Sequence, residues 1–285
     1  MNKLELQQKL YISTTAVDVL EQAAMYDLGI ELAQFSYAPF LDENYEKFAE
    51  EVRFMQQVSE RMIYHAPFNE IYPAAIDPRA KAFAMGRLQQ AYRSAASFGI
   101  RRMVVHSGYE PMVYFPQWYR EKAADFFREF MEDKPEDFSI MIENQMESGE
   151  DLTLLPQLVE KIDDRRVGLT LDIGHAMYRG WNRDLKEWID AFAPWTTHIH
   201  LHQNDHSWDW HQTLDEAGAN DVDIEEILLL LMDKIKTATI TLEHAAAAGS
   251  VNWLETKGYL QKKDPEKAHR YAGYEMLSNR FFGSM

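Results

Sequence analysis

The sequence predicts a single (β/α)₈ TIM barrel. Three features carry that expectation: eight short β-branched runs, a helix-period segment between each run and the next, and no Pro/Gly/Ser-rich linker anywhere in the series. The strand candidates, in order, are LYISTTA (10–16), GIELAQFS (29–36), RMIYHAPF (61–68), IRRMVVHSG (100–108), FSIMIENQ (138–145), VGLTLDIGHA (167–176), THIHLHQND (197–205) and ATITLEHA (238–245). Between them lie helix candidates at 17–28, 44–60, 79–99, 120–134, 152–162, 185–193 and 224–235, so each strand but the last leads into a helix. The last leads into a less regular C-terminal tail. Strict alternation implies a parallel sheet, and eight such units in 285 residues match the size of a closed barrel. An open doubly wound sheet is the competing fold, but no G-x-G-x-x-G follows the first strand. One domain is expected over residues 1–285.

Composition narrows the chemistry. The chain has no cysteine, which excludes disulfides, thiolate nucleophiles and sulfur-ligated metals, so any metal must be held by His, Asp or Glu. The opening MNKLELQQKL lacks the apolar core of a signal peptide, and no run approaches a membrane span. A soluble, cytoplasmic protein without a membrane partner is expected, and a homo-oligomer is compatible with it. A formal charge of −17, with basic residues clustered only as Arg101-Arg102, Arg165-Arg166 and Lys262-Lys263, counts against a nucleic-acid partner. It does not exclude one, because bound divalent metals neutralise phosphate in an acidic protein.

In such a barrel the chemistry sits at the C-terminal ends of the strands. Near the ends of strands three to eight stand His65, His106, Glu143, Asp172 with His175, His200, and Glu243. Side-chain alternation sharpens the pattern. Ile240 and Leu242 oppose Thr241 and Glu243, Ile140 and Ile142 oppose Glu143, and Ile199 and Leu201 oppose His198, His200 and His202, so the polar set points into the barrel. One inward histidine is ordinarily a hydrogen-bonded core residue. Seven imidazoles and carboxylates converging on one mouth repel or desolvate one another unless cations bind there, and a divalent metal site is the economical reading. An all-oxygen-and-nitrogen donor set suits zinc, manganese, cobalt, iron or magnesium. Trp208 and Trp210, flanking Asp209, are candidates to wall a sugar-sized pocket. His198 and His202 are candidates for supporting the ligands, and Arg179 and Arg183 are the nearest cations to meet a phosphate.

The ordered pieces IENQ, LDIGHAMYRG, HLHQND, DWH and TLEH resemble the xylose-isomerase-like TIM barrels, which join sugar isomerases and epimerases with the endonuclease IV type of abasic-site endonuclease. The resemblance runs from YHAPF in the third strand to LEHA in the eighth. Likeness to the epimerases implies one Mn-, Co- or Mg-type ion held by Glu143, Asp172, His200 and Glu243. Glu143 and Glu243 would serve as the acid/base pair beside a metal-bound carbonyl, His175 and Glu147 would touch substrate, and His206 would stand where ketose epimerases carry an arginine. Likeness to endonuclease IV implies up to three zinc ions and adds His65, His106, His175, Asp209 and His211 to the ligands. Two departures stand against DNA cleavage: that family's HLND is HLHQ here, with Gln203 in the acidic place, and its LGEG is LDEA. The first expectation is therefore a metal-dependent sugar or sugar-phosphate isomerase or epimerase of carbohydrate metabolism. A trinuclear zinc phosphodiesterase is the alternative, and a noncatalytic carbohydrate-binding barrel comes third.

Overall fold

The computed structural model describes residues 2–145, 151–178, 184–219 and 221–277. Eight parallel strands close into a barrel in chain order: β1 (Leu10–Ser13), β2 (Gly29–Leu32), β3 (Met62–His65), β4 (Arg102–His106), β5 (Ser139–Glu143), β6 (Val167–Asp172), β7 (Thr196–Leu201) and β8 (Thr239–Leu242). The helices are α1 (Lys3–Lys9), α2 (Val19–Tyr26), α3 (Tyr45–Met55), α4 (Pro78–Ser97), α5 (Pro116–Met131), α6 (Leu154–Ile162), α7 (Ile173–Ala176), α8 (Leu185–Phe192), α9 (Ile224–Lys234), α10 (Ala248–Thr256) and α11 (Pro265–His269). Among the described residues no helix is long and apolar enough to cross a membrane.

Several expected boundaries move, each for a local reason. The sixth strand stops at Asp172, because the Asp172 carboxylate accepts the His175 backbone N–H at 2.7 Å and caps α7. His175 therefore stands on a helical turn instead of a strand. Pro116 at the first turn starts α5 four residues early. The eighth strand is followed by a helix after all, α10, so the last βα unit is complete before the tail begins.

The strands present two faces. Ile30, Leu32, Ile140, Ile142, Ile199, Leu201, Ile240 and Leu242 pack into the main core beneath the helices. Tyr11, Ile63, Val104 and Met141, from β1, β3, β4 and β5, form a separate apolar cluster that plugs the lower barrel. Gly29 belongs to this plug, since a Cβ there would lie 2.2 Å from the Tyr11 ring. The register between β6 and β7 slips between Leu169 and Thr170: Leu169 pairs with Thr196, whereas Thr170 pairs with His198. Plain alternation would put His198 on the outward face of Thr196. The extra residue, Thr197, reverses that and turns His198 and His200 inward beside Thr170 and Asp172.

Candidate metal centre at the barrel mouth

Glu143, buried at the end of β5, is the hub of the site. Its Oε2 lies 3.4 Å from His65 Nε2 and 3.3 Å from His106 Nε2, while its Oε1 lies 3.5 Å from both His175 Nδ1 and His200 Nδ1. The same His200 Nδ1 stands 2.9 Å from Glu243 Oε2 and 3.5 Å from Asp172 Oδ2. The loop after β7 contributes Asp209, whose Oδ2 meets His175 Nε2 at 3.2 Å and His211 Nε2 at 3.0 Å. All nine residues implied by likeness to endonuclease IV thus join one continuous cluster. Within it, His65–His106–Glu143, Glu143–Asp172–His175 and Asp172–His200–Glu243 each bring ligand atoms within 4.8 Å of one another.

Hydrogen bonds fix which ring nitrogen faces the carboxylates. A carbonyl oxygen only accepts, so His65 donates through Nδ1 to Ala66 O at 3.0 Å, His175 through Nδ1 to Asn144 O at 2.8 Å, and His211 through Nδ1 to Glu243 O at 3.1 Å. His200 uses its other nitrogen, with Nε2 3.0 Å from the Glu31 carboxylate. Each of the four is anchored at one end and turns its second nitrogen toward Glu143, Glu243 or Asp209, as histidines that ligate metals do. His106 differs, facing the Gln145 amide at 2.7 Å, a group that offers either a donor or an acceptor.

The residues fit a divalent metal. Glu143 Oε2, His200 Nδ1 and Asp209 Oδ1 are fully buried and have no hydrogen-bond partner among the described residues, although carboxylates and imidazoles crowd around them. Orphaned buried acceptors are costly, and a cation among them removes the cost. Protons fill the same role. Burial opposes charge on His200, but Glu31, Glu243 and Glu143 hold it well above the usual histidine value, and Asp172 and Asp209 do the same for His175. His211, against burial, is held at about 9 by Asp209 and Glu243. Burial likewise opposes charge on the carboxylates, yet His106 and His200 keep Glu143, and His175 and His202 keep Asp172, well below their usual range.

Supporting residues hold these groups. The His202 ring lies over Gly174, where a Cβ would come within 1.8 Å of it, and donates through Nε2 to Asp172 Oδ2 at 3.3 Å. His211 adopts φ +50°, a left-handed backbone strained for a histidine. Its carbonyl accepts the Nδ1–H of His244 at 3.2 Å, whose Nε2 in turn accepts the Ser250 hydroxyl at 2.7 Å; burial pushes His244 down to about 3, so the ring stays neutral.

A cavity of about 560 Å³ opens above the cluster, lined by His65, His106, Glu143, His175, Asp209, His211 and Glu243 together with Thr15, Ser36, Phe68 and Gln145. The remaining expected site residues do not line it. His206 bonds Met177 O and Asp221 and lines a different cavity, so it is not brought to the mouth. Trp208 and Trp210 are 54% and 57% exposed, and the Trp210 indole N–H donates to Asp205 and Ser207 instead of framing the cavity. Glu147, Arg179 and Arg183 lie outside the described residues.

One central residue is not foreseen by the sequence reading. Glu31, 1% exposed in β2, bonds both His198 and His200. Its signal is present in GIEL, an acid between two outward apolar residues on a strand for which the sequence offers no candidate ligand at its end.

The xylose isomerase-like TIM barrel model matches residues 22–263. The chain belongs to that family. A relative, the uncharacterized protein MJ1311 of Methanocaldococcus jannaschii, is 27% identical over 189 residues, which span 62% of this chain and 64% of that protein. A D-tagatose 3-epimerase-like protein has a TM-score of 0.68 at 22% identity, with 88% of this chain and 97% of that one covered. Endonuclease IV of Thermus thermophilus gives a TM-score of 0.59 at 17% identity, covering 88% and 98%. At these identities the structural likeness is one of fold.

Proposed function

We propose that this chain is a phosphoester hydrolase that works with a cluster of up to three divalent ions. The carrying observation is the set of four imidazoles, His65, His175, His200 and His211, each tied at one nitrogen and aimed with the other at shared carboxylates. A single-ion site built from Glu143, Asp172, His200 and Glu243 has no use for His65, His106, Asp209 or His211. In the cluster reading His65 and His106 share Glu143 Oε2, the Glu143–Asp172–His200–Glu243 group sits at the centre, and His175 and His211 share Asp209 Oδ2. Bound there, the ions would supply Lewis acidity toward phosphoryl oxygens and activate water for attack near neutral pH.

The chain's own residues supply the remainder. No Lys or Arg is among the described residues lining the cavity, so among these residues a phosphate would meet positive charge through cations held in the cluster. Glu143 spans two of the ligand groups and fixes their spacing. Glu243, ionised because His200 and His211 outweigh its burial, borders the cavity and takes a proton from an attacking water. The Thr15 and Ser36 hydroxyls and the Gln145 amide offer neutral hydrogen bonds to the rest of the substrate, and the cavity's size suits a small molecule.

A second reading, a sugar or sugar-phosphate isomerase or epimerase using one ion, draws on a specific feature. Glu143 and Glu243 both approach His200 Nδ1, so two ionised carboxylates flank one ligand position and form a pair able to remove and return a proton. Elemental mass spectrometry on protein purified without tag or chelator separates the readings. About three ions per chain with turnover of bis(p-nitrophenyl) phosphate or an abasic duplex supports hydrolysis. About one ion, with solvent deuterium entering a sugar at carbon, supports proton transfer and overturns the first reading.

A further inference from the structure

We propose that Glu31 is a positioning residue for the central ligand group. Its carboxylate holds His200 by Nε2–H, so that the Nδ1 lone pair is presented to Glu143, Asp172 and Glu243. The inference rests on the metal-cluster reading above and goes beyond it to a residue outside the ligand set.

Glu31 projects from the middle of β2 and meets β7 and β8 inside the barrel. Its Oε1 lies 3.0 Å from His200 Nε2, while Oε2 lies 2.9 Å from His198 Nε2 and accepts the Thr241 hydroxyl at 2.5 Å. An ionised carboxylate has no proton to give, so each ring must be the donor and both histidines carry hydrogen on Nε2. Their Nδ1 atoms then have opposite fates. His198 Nδ1 meets the Thr239 hydroxyl at 2.6 Å, which donates to its lone pair and closes that ring. His200 Nδ1 meets no donor. It faces Glu243 at 2.9 Å and Asp172 and Glu143 at 3.5 Å, outside hydrogen-bond geometry. Once a cation displaces the proton there, Nδ1 presents its lone pair among three carboxylates, and Glu31 sets that direction. Glu31 is not the better candidate for a ligand itself, even though one of its oxygens lies within 4.8 Å of ligand atoms of His65 and His200, because its two oxygens already accept three hydrogen bonds. An amide in its place offers one accepting oxygen and one NH₂ group that only donates, so one of the two histidines must reverse its tautomer.

The test compares wild type, Glu31→Gln and Glu31→Asp, stripped of metal and titrated with Co²⁺. Visible absorption and competition with a chromophoric chelator give stoichiometry and affinity, and circular dichroism verifies the fold. The expected result is weakening by about 10–100-fold for one ion only in Glu31→Gln, with a smaller loss for the same ion in Glu31→Asp, which keeps an acceptor on a shorter arm. Unchanged affinity for every ion in Glu31→Gln overturns the inference, and so does equal weakening of all ions, the mark of a merely structural role. If Glu31→Gln does not fold, Glu31→Asp decides by the same criteria. Wild type that binds no Co²⁺ would instead defeat the metal reading itself.

Discussion

The barrel interior is divided into two environments along one axis, and His198 and His200 stand on either side of the boundary. Below, Tyr11, Ile63, Val104 and Met141 fill the barrel with apolar side chains. Above, Glu143, Asp172, Glu243 and their histidines crowd a polar mouth. The two histidines share a strand, a face and the Glu31 carboxylate, yet burial pushes His198 down to about 4 while the surrounding carboxylates hold His200 well above its ordinary value. The same side chain is closed by a hydroxyl in one place and left facing three acids in the other. Residue type therefore says less about a role in this barrel than what the second ring nitrogen meets.

The hardest blow to the mouth is Glu143→Gln. The substitution keeps the shape but removes the charge that four imidazoles share, so bound metal should fall and turnover drop by on the order of 10²–10³-fold or more, with the circular dichroism spectrum unchanged. Steady-state kinetics and metal content on the same sample check it. Near-normal activity would remove Glu143 from the centre of the site.

A narrower change splits the mouth itself. Asp209→Asn with His211→Ala strips the loop contribution and leaves Glu143, Asp172, His200 and Glu243 in place. Metal content should fall by about one ion per chain, with the ions on the strand ends retained. Equal stoichiometry in variant and wild type would show that the loop pair carries no metal and return the site to a single-ion reading.

Protons and metals compete for the same carboxylates, which gives the mouth a pH dependence the lower layer lacks. His175, His200 and His211 are raised, so they carry protons at neutral pH in the metal-free protein, and metal must displace them. Calorimetry in two buffers of different ionisation enthalpy should show proton release at pH 7, and affinity should fall as pH falls. In chelator, the stability these raised histidines supply is complete below their unfolded value of about 6.5 and is lost as pH rises through the folded values, about 9 for His211. On the acid side, the depressed carboxylates Glu31, Glu143 and Asp172 lose their contribution as pH falls below about 4.5. Buried neutral His198 and His244, held at about 4 and about 3, already penalise the fold below about 6.5. Metal-free thermal stability should therefore peak at about pH 6–7, and added metal should flatten the alkaline limb. A metal-free melting temperature that climbs from pH 7 to 9 would contradict the raised histidines.

How much of this is legible in the sequence follows from the range of each interaction. Alternation marks the inward face of β5, β7 and β8 because a strand's parity is local, and the candidate ligands at strand ends follow from barrel geometry. Glu31 escapes because its partners are 167 and 169 residues away, so nothing near GIEL announces them. The strand expected over 167–176 is too long because Asp172 accepts the His175 N–H with its own side chain and caps a helical turn, while from sequence it reads as another strand-end acid. His206 is expected at the mouth from the resemblance alone, as the position where ketose epimerases carry an arginine. Its left-handed backbone, at φ +70°, and its bonds to Met177 and Asp221 send the ring to a different cavity.

The smallest effect is expected from the lower layer, where Met141→Leu exchanges one apolar side chain for another of similar volume. Met141 is 1% exposed among Tyr11, Ile63 and Val104, and its sulfur lies 3.1 Å from the Arg102 guanidinium, the one polar contact the substitution removes. Volume-conserving exchanges in a packed core cost less than about 1.5 kcal/mol, and a thioether is a weak acceptor, so the loss should stay within that bound. Metal content and turnover should be those of wild type, since Glu143, two residues further along the same inward face, is held by imidazoles and not by the plug. Chemical denaturation with metal analysis on one preparation decides the matter. If Met141→Leu also cost an ion, the apolar plug would be setting the height of Glu143 in the mouth, and the two environments would be mechanically one.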